Sequence, residues 1–333
     1  MPLGQLAQVL RDTLGSADER LLVGPETADD GGVVRLGGGG GRPAGTALVQ
    51  AGEFFPPVVD DAFEYGRVAA ANALSDVYAM GGTPLSALTI AGFPKAFPQE
   101  WIGEIFRGGF EKIRESGAIV AGGHTVQTPE PLFGFAVTGL VDEREVTANA
   151  GARAGDVVFL TKPLGAGSIT TGAKRGRVSA PDLRAAVASM ATLNDRAAQA
   201  MRIASVRAAT DVTGFGLVGH ACNVARSSDV TVRFALSALP LYAGALELAR
   251  EGVLSGGSKR GQAALADVVR IAPALEKALV DLVFDAETSG GLLLFVAHEN
   301  AERLERELTA RKVPAHRVGE VVPAQDARVL LEP

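Results

Sequence analysis

The chain has 333 residues, 47% of them hydrophobic, 21% charged and 5% aromatic, with 41 glycines, one cysteine and a formal charge of −6. That length provides for two domains with their own cores, while mild acidity and the lack of a basic stripe exclude the counterion-release footprint of a nucleic-acid binder. Lone Cys222 excludes a disulfide framework or thiolate zinc site, and with no roughly 20-residue apolar run and no signal-peptide order the expectation is a cytoplasmic protein without a membrane partner.

Periodicity and end signals predict helices over Pro2–Leu14, Ala62–Met80, Pro98–Glu115, Ala180–Ile203, Phe215–Ala225, Leu241–Glu251, Pro273–Leu282 and Glu299–Ala310. Strands are predicted over Ala47–Gln50, Ala118–Ala121, Leu132–Val141, Asp156–Thr161, Val230–Ala235, Gly291–Ala297 and Arg317–Val322. Gly37–Gly41 reads as a loop between early strands rather than a phosphate cradle, because no helix start follows it. The stretch Gly151-Ala152-Arg153-Ala154-Gly155 reads as a hinge. The fold class is therefore mixed α/β (α+β), with domains expected at 1–153 and 154–333.

The common nucleotide signatures fail. Gly167–Lys174 interposes an alanine before the lysine of a P-loop. Gly214–Gly219 matches G-x-G-x-x-G, but Ala208-Ala209-Thr210-Asp211 does not read as the buried strand that a dinucleotide site requires. The four histidines are too scattered to nominate a metal cluster.

Acidic residues in small or apolar surroundings stand out instead. Asp29-Asp30 precede a glycine pair, and hard oxygen ligands on such a loop suit Mg²⁺, although turn aspartates also simply accept backbone hydrogen bonds. Asn72 and Asp76 share one face of an alanine-rich helix, where the alanines let another backbone approach closely. Asp211 stands before a helix start, where capping is the ordinary role. Ala121-Gly122-Gly123-His124-Thr125 reads as a turn able to admit a nucleotide, and Thr288–Gly291 as a strand-entry turn.

These segments, in this order from about Leu21 to near the C-terminus, resemble the selenophosphate synthetases (selenide, water dikinases) of the aminoimidazole-ribonucleotide-synthetase-like (PurM-like) superfamily. The resemblance rests on Leu21–Gly24 with Glu26-Thr27 and Asp29-Asp30, Phe54–Asp60, Gly66-Arg67, Asn72-Ala73 with Ser75-Asp76, Ala79–Gly82, Gly122-Gly123-His124, Pro129–Pro131, Ala136–Gly139, Leu160–Gly165, Thr210–Gly216 with Gly219-His220, and Thr288–Leu294. It implies a homodimer whose N-terminal domains form an intersubunit β-barrel, with a C-terminal α/β domain and ATP between the domains. It also implies conversion of ATP, selenide and water to selenophosphate, AMP and phosphate. Matched by position, Asp30, Asp76 and Asp211 are the implied magnesium ligands. Thr27, Ala28, Asp29, Glu53, Asp76, Gly123, His124 and Thr125 are the implied ATP-binding set.

The chain departs from the family pattern in two ways. Glu53 stands where the family carries aspartate, displacing the carboxylate by roughly an ångström in a site that depends on positioning. The family's N-terminal Cys or selenocysteine and its essential Lys have no counterpart, so no catalytic residue is assigned and Mg-ATP binding with poor selenophosphate formation is expected. Cys222 reads as a small buried hydrophobe and not as a replacement. A catalytically impaired nucleotide-binding paralogue and another superfamily enzyme such as thiamine-phosphate kinase are the rival expectations.

Overall fold

The computed structural model describes residues 18–37 and 45–333; the expected helix Pro2–Leu14 and most of the Gly37–Gly41 loop lie outside them. The N-terminal half contains strands β1 (Leu21–Val23), β2 (Gly32–Arg35) and β3 (Thr46–Phe55), helix α1 (Ala62–Ala79), β4 (Thr83–Phe93), α2 (Gln99–Glu115), β5 (Ile119–Gln127) and β6 (Leu132–Asp142). Its sheet runs β1-β2-β3-β6-β4-β5, with β5 parallel to β4 at one edge.

Helix α1 begins where the Asp61 carboxylate accepts the Glu64 amide at 2.9 Å, and it is buried without interruption from Val68 to Ala79. Its all-round apolar character suits a helix enclosed by other elements. Two glycines bring α1 and α2 into backbone contact. A Cβ at Gly66 would lie 2.0 Å from the Ile105 carbonyl oxygen, and one at Gly108 would lie 2.0 Å from that of Phe63. Beneath them Tyr65, Phe133 and Phe135 pack edge-to-face, with ring centroids 6.2 and 5.2 Å apart.

The C-terminal half contains β7 (Val157–Leu160), α3 (Ala166–Lys174), α4 (Ala180–Met190), α5 (Asp195–Ile203), β8 (Ala208–Asp211), α6 (Gly216–Ser227), β9 (Val230–Ala235), α7 (Ala245–Arg250), α8 (Ser258–Leu265), β10 (Val269–Ile271), α9 (Lys277–Val283), β11 (Leu292–Val296), α10 (His298–Ala310), β12 (His316–Pro323) and β13 (Val329–Glu332). The second sheet runs β10-β13-β9-β12-β7-β11-β8. One apolar cluster continues from Phe135 of the first sheet through Leu74 of α1 to Met201, Leu294 and Leu304 of the second half. Helix α1 is thus the shared wall between the two sheets. Among the described residues no helix is long and apolar enough to cross a membrane.

Several sequence expectations need correction. Ala208–Asp211 is a strand, fully buried and paired antiparallel with β11 through Leu292↔Asp211 to Phe295↔Ala208. Its small residues carry little local strand signal, and burial against a neighbouring strand decides the outcome. The following G-x-G-x-x-G does open helix α6, but β8 is a sheet edge whose neighbouring strand is antiparallel β11, unlike the parallel unit of a dinucleotide fold.

Gly122–Thr125 form no turn, because parallel pairing with β4 carries β5 through to Gln127. Strand β4, absent from the expectations, begins Thr83-Pro84 yet is held between β6 and β5. The single helix expected over Ala180–Ile203 breaks at Ala191–Asn194, where the Asn194 side chain donates to Ser75 Oγ and the Gly290 carbonyl at 2.8 and 2.9 Å. Cys222 is fully buried in α6 and its thiol is pushed up to about 12, chiefly by burial.

Candidate functional site

The acidic residues converge where α1, the β1–β2 connection and the end of β8 meet. The short helical turn Pro25–Thr27 ends at Ala28 in the left-handed region, with φ 51°. The loop is pinned by two segments distant in sequence: Asn149 Nδ2 donates to the Ala28 carbonyl at 2.9 Å, and Ser227 Oγ, from the C-terminal half, to that of Thr27 at 3.3 Å. Asp29 uses both carboxylate oxygens inside this loop, accepting from the Thr27 hydroxyl and the Asn149 amide. Asp30 points the other way. Its Oδ1 accepts from Thr210 Oγ1 at 2.9 Å, and its Oδ2 lies 3.3 Å from the Asp211 amide.

Asp211 ends the buried strand β8 and does not cap α6, whose N-terminal flank is Phe215 with no side-chain cap. Its Oδ2 is buried without a hydrogen-bond partner. Asp76 is buried on α1, one turn beyond Asn72. Glu53 reaches the same region from β3, its Oε2 accepting from Asn72 Nδ2 at 3.3 Å. Asn72 also receives the Ser289 amide on Oδ1 at 2.8 Å, so one side chain joins β3 to the loop ahead of β11.

Crowding these carboxylates together favours their protonated forms. Burial and then the neighbouring charges of Asp211, Glu53 and Asp30 hold Asp76 well above the usual carboxylate range. Burial and then Asp211 do the same to Asp30. Glu53 is pushed up to about 7 by burial and then by Asp211, and Asp211 to about 6 by burial, against the pull of the Ser75 hydroxyl and the Lys162 ammonium. Lys162 is itself buried and drawn down to about 7 by desolvation, its Nζ donating to the Thr192 and Ser289 carbonyls at 2.7 and 2.9 Å.

Several hard oxygen donors, one of them unpartnered and buried, are a set suited to a divalent cation carrying phosphate oxygens. His220 belongs to the same cluster. Its ring, Asp30 and Asp211 offer atoms within 4.8 Å of one another, a grouping that the spread of histidines along the chain concealed.

Two family models match the chain, AIR synthase related protein N-terminal domain over residues 28–141 and its C-terminal domain over 153–332. The selenide, water dikinase of Caldanaerobacter subterraneus subsp. tengcongensis is 45% identical over 322 residues, covering 96% of this chain and 91% of that protein. This chain belongs to the selenide, water dikinase family. The dikinase of Geobacter metallireducens is 42% identical over 98% of this chain and 94% of its own. Among solved structures, thiamine-monophosphate kinase from Stenotrophomonas maltophilia matches with a TM-score of 0.68 at 19% identity, covering 98% of this chain and 94% of that one. Hydrogenase maturation protein HypE in complex with ATP matches at 0.65 and 18%, covering 98% and 90%. At such identities these two establish the shared fold alone.

In this dikinase-family chain the structure brings Asp30, Asp76, Asp211 and Glu53 into one charge-coupled cluster. Gly123, His124 and Thr125 lie apart on the exposed edge strand β5, and among the described residues none hydrogen-bonds a cluster carboxylate. Sequence reasoning gave no site role to Thr210, His220, Asn194, Asn149 or Lys162. Thr210-Asp211 and Gly219-His220 stood within matched family segments, which was a usable signal; Asn149 and Asn194 lay outside every motif.

Proposed function

We propose that this chain makes selenophosphate from selenide, ATP and water, releasing AMP and phosphate. The 45% identity to a selenide, water dikinase over nearly the whole chain carries this reading, and the acidic cluster supports it. Asp30, Asp76 and Asp211 are the proposed Mg²⁺ ligands, with Glu53 beside them; the unpartnered Asp211 Oδ2 and the mutual repulsion of the carboxylates fit that assignment. Mg²⁺ there supplies charge neutralisation of the triphosphate, which a P-loop lysine supplies in other nucleotide enzymes. The Thr27–Asp29 loop and the strand residues Gly123, His124 and Thr125 are the proposed nucleotide contacts. Asn72 and Asn194 hold the Thr288–Gly291 loop against α1, so both halves of the molecule set the position of the reacting phosphates.

A second copy of the chain is proposed to cover the open face of the first sheet. Phe54, Leu88, Ile119 and Val126 register with even-numbered positions of β6, opposite the odd-numbered Phe133, Phe135 and Val137 that face the core. All four are about half exposed or more, Ile119 reaching 65%. An apolar patch of this kind marks an interaction surface, and in a homodimer it would place β5 and its His124 at the interface. A cytoplasmic location accords with a single, buried cysteine.

Following the nucleotide products by ³¹P NMR with selenide present tests the activity. Selenide-dependent AMP is expected from the family membership, and Mg-ATP binding without it would favour the impaired nucleotide-binding paralogue; ADP formed with thiamine phosphate as acceptor would sink the reading in favour of a kinase. Light scattering on the wild type and Leu88→Arg tests the dimer, which the arginine should dissociate.

A further inference from the structure

His220 stands close enough to Asp30 and Asp211 to pass for a further metal ligand, but its hydrogen bonds leave it no free lone pair. Nε2 meets both the backbone N–H of Thr213 at 3.1 Å and the Thr213 hydroxyl at 3.2 Å; an amide can only donate, so Nε2 is the acceptor and its lone pair is taken. In a neutral imidazole the proton then resides on Nδ1. Nδ1 faces Thr210 Oγ1 at 3.2 Å, so the hydroxyl accepts there and turns its own hydrogen outward. Two acceptors lie within reach of that hydrogen, Asp30 Oδ1 at 2.9 Å and the Asp211 carbonyl at 3.0 Å. A carboxylate is the stronger acceptor of the two.

We infer that His220 is a positioning residue: the Thr213 amide fixes its tautomer, its Nδ1–H fixes the Thr210 hydroxyl, and that hydroxyl orients Asp30 Oδ1 so that the other Asp30 oxygen lone pairs face the Asp211 side. This rests on the proposed role of Asp30 and Asp211 as metal ligands. The chain spans three elements, with Asp30 on the β1–β2 connection, Thr210 in β8 and His220 in α6, so it ties the acidic cluster to both halves of the molecule. Outer partners of this kind tune a metal site through its ligands without touching the ion.

Mn²⁺ serves as the probe, with the full chain throughout. Thr210→Val and His220→Ala should each weaken Mn²⁺ binding by about 10- to 100-fold. The double variant should be no weaker than the worse single one, because both remove the same relay. His220→Asn, which keeps a side-chain N–H near the Nδ1 position, should recover much of the loss. Pulsed EPR of bound Mn²⁺ should show no directly bonded histidine nitrogen, and ¹⁵N NMR of the metal-free chain should show His220 as the Nδ1–H tautomer. A bonded nitrogen signal would make His220 a ligand and overturn the inference, as would the Nε2–H tautomer or additive losses. Mn²⁺ binding unchanged by Asp211→Asn would instead remove the metal reading itself, and with it the purpose of the relay.

Discussion

Asn72 Oδ1 accepts the backbone amide of Ser289 at 2.8 Å, joining residues 217 positions apart and tying the two halves of the molecule beside the acidic cluster. Removing that acceptor leaves a buried amide unpaired, a loss of about 1–3 kcal/mol. Asn72→Ala should therefore lower the urea midpoint and also weaken nucleotide binding, because Glu53 loses its amide partner in the same step. Calorimetric titration with Mg-ATP, run alongside the urea curves, checks both; a loss of stability with unaltered affinity would confine Asn72 to a structural role.

Asp76 is buried among like charges that raise its protonation. Replacing it with asparagine removes one of these repulsions, so metal-free Asp76→Asn should be more stable by about 1 kcal/mol while binding Mg-ATP less tightly. Thermal unfolding with and without Mg²⁺ would show the two effects in opposite directions. A variant that loses stability in EDTA would contradict the repulsion argument.

The buried carboxylates set the sign of the pH dependence of metal-free stability, outnumbering buried His220, which is drawn down to about 4 by burial and acts the opposite way below pH 6.5. Glu53 titrates at about 7 in the folded chain, raised chiefly by burial, against an ordinary value of 4.5. Between those values the folded state retains a proton that the unfolded chain has released, so stability is fully present below about pH 4.5 and is lost as pH rises through 7. Asp30 and Asp76 shift in the same direction. Cation binding requires the deprotonated carboxylates, so it should release protons at pH 6 and tighten towards pH 8. Melting curves in EDTA and calorimetry in two buffers of different ionisation enthalpy measure the two effects; a metal-free melting temperature that climbs from pH 5 to 7 would refute the first.

Two glycines of the helix pair offer a contrast in packing. Gly66→Ala would place a methyl 2.0 Å from the Ile105 carbonyl oxygen and force the helices apart, at a cost of ~3 kcal/mol. Gly103→Ala on α2 meets open space and should instead stabilise by about 0.5–1 kcal/mol through helix propensity. Chemical denaturation of both variants checks the pair, and equal effects would refute the close helix contact.

Much of the fold was legible because burial imposes a period. The apolar runs at Leu132–Val141, Val230–Ala235 and Arg317–Val322 became strands within a residue or two of their expected ends. Helix α1 was marked by Asp61 before it and Gly81-Gly82 after it. Strand β8, Ala-Ala-Thr-Asp, has weak local preference, and β4 opens on Thr83-Pro84, a break signal ahead of its Leu and Ile residues; both are strands because neighbouring strands pair with them. The break at Ala191–Asn194 likewise depends on the contacts of Asn194 with Ser75 and Gly290, both remote in sequence.

The same division runs through the site. By itself the sequence determined which carboxylates stand in apolar surroundings, since an acid amid alanines or between threonines is anomalous without any coordinates. Only the tertiary structure decided what each one does. Asp29 and Asp30 are neighbours in an Asp-Asp pair, yet Asp29 spends its oxygens on Thr27 and Asn149 while Asp30 turns to Thr210 and Asp211. A side chain's partners are set by where distant segments pack. The roles of adjacent residues therefore separate only when Asn149, Thr210 and His220 are brought against the loop from distant parts of the chain.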